Sequence, residues 1–522
     1  MKALQKLLLM ALVAAMMPMQ SFAQNPFGLS IEDSLITRDI YGYDSRREAK
    51  TYDYKGYTQS VLTKMPKAEF DGDKVYGLTL EGYLKLAYKA DKVDPSVKFL
   101  NQPAIGGCTG FLIAPDIMVT AGHCISGDPH SITDGQIDWH VAYNNKQNDI
   151  KVDDSYWVFG YTNDINMTSY NHPTYGKVYG ATIPQSYQYA VKIILKSVLS
   201  SKQNLDYAIV QFERPTDVEP FRFRTGEKIQ KGAGLAMIGS PAGLPLKLAD
   251  GAEVTINGAD TWFGTNLDAF GGNSGGPVYA TGGLSLIEGI LVRGRIDKGI
   301  KGYYLDSTCT CVKEVKYDND ASKSILDDIL NIPEEDISTE VQRITSIPWN
   351  IRVLAVYNNV EYSIKNNNQD RFDKWMAYSW VYREDTFSYI KNVIQNRDPL
   401  AVQAIKQNRI SMFEAMVDAG YSVTMPYAYG RSVLYTAITY GRTDAVRYIL
   451  QKGYNLEQED NMGDTPLFWA IQTGELQMVE ILVENGASLT HANSSGKSPA
   501  KYAAKSKQKV IKKYLKKAAK RR

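Results

Sequence analysis

Three residues of this chain have the side-chain types needed for acyl transfer. His123 follows an apolar run, Asp206 precedes another, and Ser274 lies within the glycine-rich stretch Gly271–Pro277. A serine hydroxyl is a weak nucleophile at neutral pH, and it needs a nearby base such as histidine to take its proton. The base needs a buried carboxylate, which holds its tautomer and stabilises the imidazolium. We therefore predict that His123, Asp206 and Ser274 act together as a catalytic triad.

The glycines around Ser274 are suited to the second requirement of this chemistry. Attack on a carbonyl generates an oxyanion, which two backbone N–H groups must stabilise. A loop that turns both groups toward one point follows an unusual backbone path, which glycine tolerates. The sequence predicts that Gly272 and Ser274 donate these two hydrogen bonds.

The segments that must position these residues read as short strands. Between residues 101 and 312, brief apolar runs alternate with Gly, Asn and Asp turns, which is typical of an all-β barrel or sandwich. Residues 24–100 are polar and are expected to form a propeptide or an arm packed on the next domain, with a possible helix over 78–89. Residues 313–396 are expected to be a helical connector, with helices over 323–330 and 371–393.

The chain order His, Asp, Ser matches chymotrypsin-like enzymes and differs from subtilisin and the α/β-hydrolases. With the strings Gly107–Ile113 and Asn266–Ser274, residues 101–312 resemble the trypsin-like family S1, in particular its bacterial secreted V8-like branch. The resemblance implies a double β-barrel with an active site between the barrels. It also implies a Cys108–Cys124 disulfide, and a strand in which Val292 and Gly294 pair with the substrate backbone.

The resemblance leaves substrate preference open. Asp268 lies six residues before Ser274, where trypsin-like enzymes place the Asp that selects Arg or Lys. In glutamyl-type relatives, a Thr directly after a similar Asp and a His on a later strand go with a preference for Glu. This chain has Ala269 at the first of these positions and Leu291 at the second, so a preference for Glu is poorly supported. A preference for Arg or Lys and some other preference therefore both remain possible. Arg293 could also attract an acidic residue near the scissile bond.

Two other family features are missing or unassigned. Asn273 stands where the animal-type activation switch has an Asp, so we do not expect activation by a new N-terminus. Cys309 and Cys311 match no family bond; a bond between them would be strained, so either could be free. Zinc binding is disfavoured because no second ligand pair lies at zinc spacing.

The last part of the chain repeats. Gly430, Gly463 and Gly496 each open a similar string 33 residues apart, and the string at Gly463 continues Asp-Thr-Pro-Leu. A 33-residue period with this Thr-Pro-Leu motif is the ankyrin signature, in which each repeat is a turn and two antiparallel helices. We assign residues 397–522 to an all-α ankyrin solenoid, whose lysine-rich last unit suits a polar cap.

The start of the chain resembles an export signal. A short basic start is followed by an apolar run and by Ser21-Phe22-Ala23, so residues 1–23 are expected to be a signal peptide of a secreted or periplasmic protein. No other stretch is apolar and long enough to span a membrane, and a net charge of +2 gives no field that attracts nucleic acid.

The sequence thus predicts a multidomain serine endopeptidase that acts on protein or peptide substrates. Its triad needs no cofactor and no metal. Its ankyrin module is expected to bind a protein partner, to regulate the enzyme or to act only as a stabilising cap. The alternative is an inactive protease-like protein that works as a binding module. A third possibility is self-regulation, in which the repeats or residues 24–100 block the cleft.

Overall fold

A computed structural model describes residues 40–41, 44–53, 56–125, 155–165, 167–172, 176–200, 202–282, 286–294, 303–314, 316–317, 338–378, 397–505 and 508–521. The chain divides into two compact units, one ending at Pro348 and one beginning at Trp349. The expected signal segment 1–23 and the expected helix 323–330 lie outside the described residues, as does most of the helix expected over 371–393.

The first barrel is a seven-stranded antiparallel sheet. Its central strands bury almost every side chain, because apolar residues such as Phe111 and Val210 face the interior and Thr109–Ala114 is buried along its whole length. In spatial order its strands are Gln188–Tyr189, Ser155–Val158, Val61–Pro66, Thr109–Ala114, Ile117–Thr120, Leu205–Phe212 and Val191–Ser200.

The second barrel also contains seven strands, and its first and sixth strands pair with each other, which closes the sheet. Its interior is filled by apolar side chains such as Leu235, Val254, Phe263 and Val341. In spatial order the strands are Gly234–Gly239, Pro277–Ala280, Ile287–Gly294, Thr339–Arg343, Trp262–Thr265, Lys247–Ile256 and Arg47–Glu48. The double barrel expected from the sequence is therefore confirmed.

Smaller elements surround the barrels. The helix Leu80–Tyr88, which the sequence predicted closely, begins where the Thr79 hydroxyl accepts a hydrogen bond from Gly82 N. A short helix lies at Ala49–Tyr52. A four-stranded sheet consists, in spatial order, of Met167–His172, Gly176–Thr182, Lys74–Leu78 and Phe70–Asp71, and a three-stranded sheet consists of Tyr303–Asp306, Cys311–Glu314 and Lys92–Val93. The strand Ile40–Tyr41 pairs with Lys316–Tyr317.

Two expected boundaries need correction. Within residues 24–100, which we expected to be a propeptide or an arm packed on the next domain, Val61–Pro66 is a strand of the first barrel and pairs with Thr109–Ala114. The segment 313–396 is not only a helical connector, because Thr339–Arg343 lies between two strands of the second barrel. In both cases the strand is stabilised by pairing with residues far away in the sequence, which local composition does not reveal.

Cys309 and Cys311 were expected to be strained if bonded, with either one possibly free. The structure instead joins them in a disulfide. They lie in the turn between Tyr303–Asp306 and Cys311–Glu314, where Cys309 is exposed and Cys311 is buried.

The helical unit stacks antiparallel helix pairs, as the ankyrin assignment predicted. Three of the four pairs are followed by a glycine with positive φ, namely Gly420 (φ 109°), Gly453 (φ 80°) and Gly486 (φ 101°), a conformation that glycine adopts more readily than other residues. The pairs are Leu400–Lys406 with Ile410–Asp418, Val433–Thr439 with Thr443–Gln451, Pro466–Thr473 with Leu476–Glu484, and Pro499–Lys505 with Lys509–Arg521.

A fifth helix pair precedes these four and was missed by the 33-residue period. Its helices are Trp349–Asn366 and Gln369–Met376. It is tied to the first repeat by buried polar groups: Gln403 Nε2 donates to Glu361 Oε1 over 2.9 Å and to the Tyr357 hydroxyl over 3.0 Å. This part of the expected connector is therefore an extra layer of the repeat stack.

The last helix, Lys509–Arg521, closes the other end of the stack. Ile511 and Leu515 are buried, while most of its lysines are exposed, which is the polar outer face that a terminal repeat needs. Among the described helices, none combines the length and the apolar character needed to cross a membrane.

Candidate active site

His123 and Asp206 are brought together by two paired strands. The strand Ile117–Thr120 ends just before the turn Gly122–Cys124, and its Thr120 is the cross-strand partner of Ala208. His123 Nδ1 lies 2.8 Å from Asp206 Oδ2, and the His123 backbone N–H donates to Asp206 Oδ1 over 3.1 Å. Both carboxylate oxygens therefore hold the histidine in place.

The environment of this pair favours an ionised carboxylate. Burial alone would raise the pKa of Asp206, but the charge and hydrogen bonds of His123, with a contribution from Arg293, hold that pKa below its ordinary value. The His123 side chain is 27% exposed, whereas that of Asp206 is 4% exposed. The buried group can therefore orient the ring while the ring stays accessible to a substrate.

Ser274 lies in a loop that packs against the first barrel. Its carbonyl accepts a hydrogen bond from Thr109 N over 2.8 Å, and the next N–H, of Gly275, donates to Leu291 O over 2.7 Å. Gly275 has φ 86°, and a Cβ there would overlap the carbonyl oxygen of Thr109. The backbone next to Ser274 therefore fits only if residue 275 is glycine.

The two predicted oxyanion donors belong to the same loop. Gly272 has φ 92° and so adopts the left-handed backbone that glycine allows. The preceding carbonyl, of Gly271, accepts a hydrogen bond from Ala242 N. Because the N–H and C=O of a trans peptide point in opposite directions, the Gly272 N–H points away from Ala242. We find no acceptor for it within the described residues.

The disulfide implied by the family resemblance is present. Cys108 is bonded to Cys124, which follows His123 directly, and the sulfur of Cys124 lies 3.6 Å from the Ser274 carbonyl oxygen. Over the described ranges, Cys108, His123 and Cys124 form one group with the spacing of metal ligands. They do not suit a metal, because the two sulfurs are bonded to each other and His123 Nδ1 is taken by Asp206.

Asp268 contacts a segment that sequence reasoning did not connect with the site. Its Oδ2 accepts hydrogen bonds from both the backbone N–H and the hydroxyl of Ser45, each over 2.7 Å. Asp268 is 3% exposed. The contact weakens the expectation that this carboxylate selects Arg or Lys at the floor of a pocket, because one of its oxygens already binds the protein.

Arg46, which follows Ser45, is held by ion pairs and by a contact with an aromatic ring. Arg46 is 1% exposed and forms ion pairs with Asp44 at 2.9 Å and Glu314 at 2.6 Å. Its guanidinium lies 3.9 Å from the ring centroid of Phe270, four residues before Ser274. Two ion pairs and this ring contact therefore hold Arg46 against the segment that leads to Ser274.

The two residues expected to pair with a substrate backbone lie on the same strand of the second barrel. Val292 and Gly294 lie in Ile287–Gly294, whose second half pairs with Thr339–Arg343 on one edge. On the other edge, the first half of the strand pairs with Pro277–Ala280 through Ile287, Gly289 and Ile290. Arg293 lies 3.3 Å from Glu340 Oε2, so its charge has a partner within the protein.

A double β-barrel with an accessible histidine bonded to a buried aspartate, and with a serine in a glycine-rich loop, is the architecture of chymotrypsin-like peptidases. Residues 108–285 match the family model of the trypsin-like peptidase domain, and residues 400–493 and 452–521 match that of ankyrin repeats. The chain therefore combines a trypsin-like peptidase domain with ankyrin repeats. The V8-like branch stays a prediction.

One curated protein shares a short segment with this chain. An "Extracellular metalloprotease" of Bacillus subtilis (strain 168) is 47% identical over 38 residues, which is 7% of this chain and 12% of that protein. Because so little of either chain is covered, this similarity concerns a segment and not a whole protein.

Proposed function

We propose that this protein is a serine endopeptidase. Ser274 Oγ attacks the scissile carbonyl, and its proton passes to Nε2 of His123. Asp206 holds the ring through Nδ1 and stabilises the imidazolium, which then protonates the leaving amine. The N–H groups of Gly272 and Ser274 stabilise the oxyanion, and water hydrolyses the acyl-enzyme by the same steps. The observation that carries the proposal is the buried Asp206 carboxylate bonded to both His123 N and Nδ1.

Two alternative functions, a binding protein without activity and a metallopeptidase, have less support. An inactive binding protein would not need to keep the accessible histidine, the buried carboxylate and two glycines of positive φ around Ser274. A metallopeptidase, as the name of the Bacillus relative suggests, would need free ligands, but the candidate group contains a disulfide.

The proposal also covers the ankyrin repeats, the first 23 residues and the cleavage preference. The ankyrin repeats are proposed to bind a protein, since the surfaces of such repeats are usually protein-binding. The sequence of residues 1–23 supports export to the periplasm or the medium. We propose no residue preference at the cleavage site, because Asp268 is engaged by Ser45.

The test compares residues 24–522 with a Ser274→Ala variant on an unbiased peptide library read by mass spectrometry. We expect cleavage by the parent alone, and the residue before each cut gives the preference. Labelling by a fluorophosphonate, which reacts with an activated serine, should likewise be lost in the variant. If equal cleavage persists in Ser274→Ala, or if the parent neither cuts nor labels, the proposal is wrong.

A further inference from the structure

We propose that Thr109 is the positioning residue of the oxyanion hole. This inference rests on the proposed peptidase function and adds a residue for which that function does not account. Thr109 is the first residue of the strand Thr109–Ala114 and is fully buried. It lies next to Cys108 of the disulfide, but its own side chain is not expected to touch a substrate.

Thr109 makes hydrogen bonds to both segments that form the hole. Its hydroxyl donates to the carbonyl oxygen of Gly272 over 2.8 Å and accepts from the N–H of Ser240 over 3.0 Å. Its backbone N–H donates to the carbonyl of Ser274 over 2.8 Å, and its own carbonyl accepts from the Thr120 hydroxyl over 2.7 Å. The hydroxyl thus donates its proton to the loop that contains Gly272, and one of its lone pairs accepts from the turn that begins at Ser240.

These bonds matter because of the peptide they orient. The oxyanion donor, Gly272 N, belongs to the peptide whose carbonyl, Gly271 O, is held by Ala242 N. The carbonyl on the other side of Gly272 is held by Thr109. Both peptides that flank this glycine are therefore fixed. Glycine would otherwise rotate more freely than any other residue.

The turn that holds Gly271 depends on the same hydroxyl. Ala242 has φ 52°, which is uncommon for a residue with a side chain. The turn containing it begins at Ser240, whose N–H donates to Thr109 Oγ1. Removing the hydroxyl would leave the Gly272 carbonyl without that donor and the Ser240 N–H without that acceptor. The preorganisation on which oxyanion stabilisation depends would then be lost.

The test uses a nearly isosteric pair of variants and a matched control. Thr109→Val removes the hydroxyl and keeps the shape, while Thr109→Ser keeps the hydroxyl. Thr63 is the cross-strand partner of Thr109, is equally buried, and its hydroxyl has no hydrogen-bond partner within the described residues. Thr63→Val is therefore a control for replacing a buried hydroxyl at this site.

We would measure kcat, KM and inhibition by a peptide aldehyde, which forms a tetrahedral adduct with the serine, on a peptide that the parent cleaves. For Thr109→Val we expect kcat to fall roughly 10- to 100-fold, as for a misplaced catalytic geometry, with KM nearly unchanged. Aldehyde affinity should fall by a similar factor. Thr109→Ser should recover most of kcat, and Thr63→Val should match the parent.

Three results would overturn the inference. Unchanged kcat and aldehyde affinity in Thr109→Val would show that the hydroxyl does not position the hole, while leaving the peptidase proposal intact. An equal loss in Thr63→Val would show a general effect of barrel packing. A parent that neither cleaves nor labels would overturn the function and this inference together. Should Thr109→Val fail to fold, the same comparison is made between Thr109→Ala and Thr109→Ser, which both lack the methyl group.

Discussion

The backbone N–H of Asp206 donates a hydrogen bond to Oε1 of Gln342 over 3.0 Å. Asp206 belongs to the first barrel, whereas Gln342 lies on the strand Thr339–Arg343 of the second. The amide of Gln342 is fully buried and donates to Ser346 Oγ over 3.1 Å and to Thr261 O. The carboxylate that orients His123 is therefore held in place by the barrel that carries Ser274.

We expect Gln342→Leu to lower both stability and activity. It leaves the buried N–H of Asp206 without its acceptor, which costs about 1–3 kcal/mol of unfolding free energy. A displaced Asp206 should also lower kcat, while KM should change less. Urea denaturation and peptide hydrolysis measure the two effects. Gln211→Leu is the control, because Gln211 lies on the same strand as Asp206 but its side chain donates to Asp116 and not to the Asp206 backbone. Equal losses in both variants would contradict a specific effect on Asp206.

Gly275→Ala tests the backbone beside the nucleophile. The new Cβ would overlap the Thr109 carbonyl and the Thr120 hydroxyl at a φ of 86°. We expect a loss of about 3 kcal/mol or more in unfolding free energy, or failure to fold. Gly226→Ala, where a Cβ meets no atom within 4 Å, should change stability by less than about 0.5 kcal/mol. A Gly275→Ala protein as stable as the parent would show that the loop relaxes easily.

The depressed pKa of Asp206 predicts how stability changes with pH. Burial raises the pKa of Asp206, but the interactions with His123 outweigh it and leave the pKa low in the folded state. Such a group contributes stability above its unfolded pKa of about 4, and the contribution is lost as pH falls through the folded pKa.

We therefore expect the unfolding free energy of the parent, relative to Asp206→Asn, not to decrease from about pH 7 to 5 and to decrease below about pH 4. Urea titrations at several pH values measure this difference. At pH 7 the same variant should lose roughly four orders of magnitude in kcat, since asparagine favours the wrong tautomer of His123. A stability difference that already decreases between pH 7 and 5 would contradict the lowered pKa.

The two disulfides should differ in how easily they are reduced. Cys309 is exposed, whereas Cys108 and Cys124 are both buried. Thiol–disulfide exchange needs access to a sulfur atom, so a mild dithiol should open Cys309–Cys311 first. Alkylation followed by peptide mass mapping identifies the order. Labelling of Cys108 or Cys124 before Cys309 would contradict the exposures that the structure assigns.

The candidate triad could be inferred from the sequence because each member lies in a short string of distinctive composition. The residues that hold these members in place could not. Thr109 meets Gly272 across 163 residues, Asp206 meets Gln342 across 136, and Ser45 meets Asp268 across 223. No local pattern specifies such pairs, since they exist only once the two barrels have formed.

In the helical unit, too, the sequence pattern failed to predict one layer of the structure. The four later pairs follow a strict period, but the helix Trp349–Asn366 buries polar residues such as Asn359 and Glu361 along with its apolar ones. That pattern blurs the amphipathic signal by which a helical layer is recognised. Its polar groups are satisfied by partners such as Gln403 and Arg397, which a sequence pattern does not identify.

The position of the strand Thr339–Arg343 limits how the two halves of this protein could be exchanged between genes. The family match ends at residue 285, yet the second barrel includes this strand from much later in the chain, just before the helical unit begins at Trp349. A recombination at residue 285 would remove both Ile287–Gly294 and Thr339–Arg343 from the second barrel, and with them Gln342, the hydrogen-bond partner of Asp206. The junction at which evolution, or an engineer, could attach a different solenoid to this trypsin-like domain therefore lies in the few residues between Arg343 and Trp349.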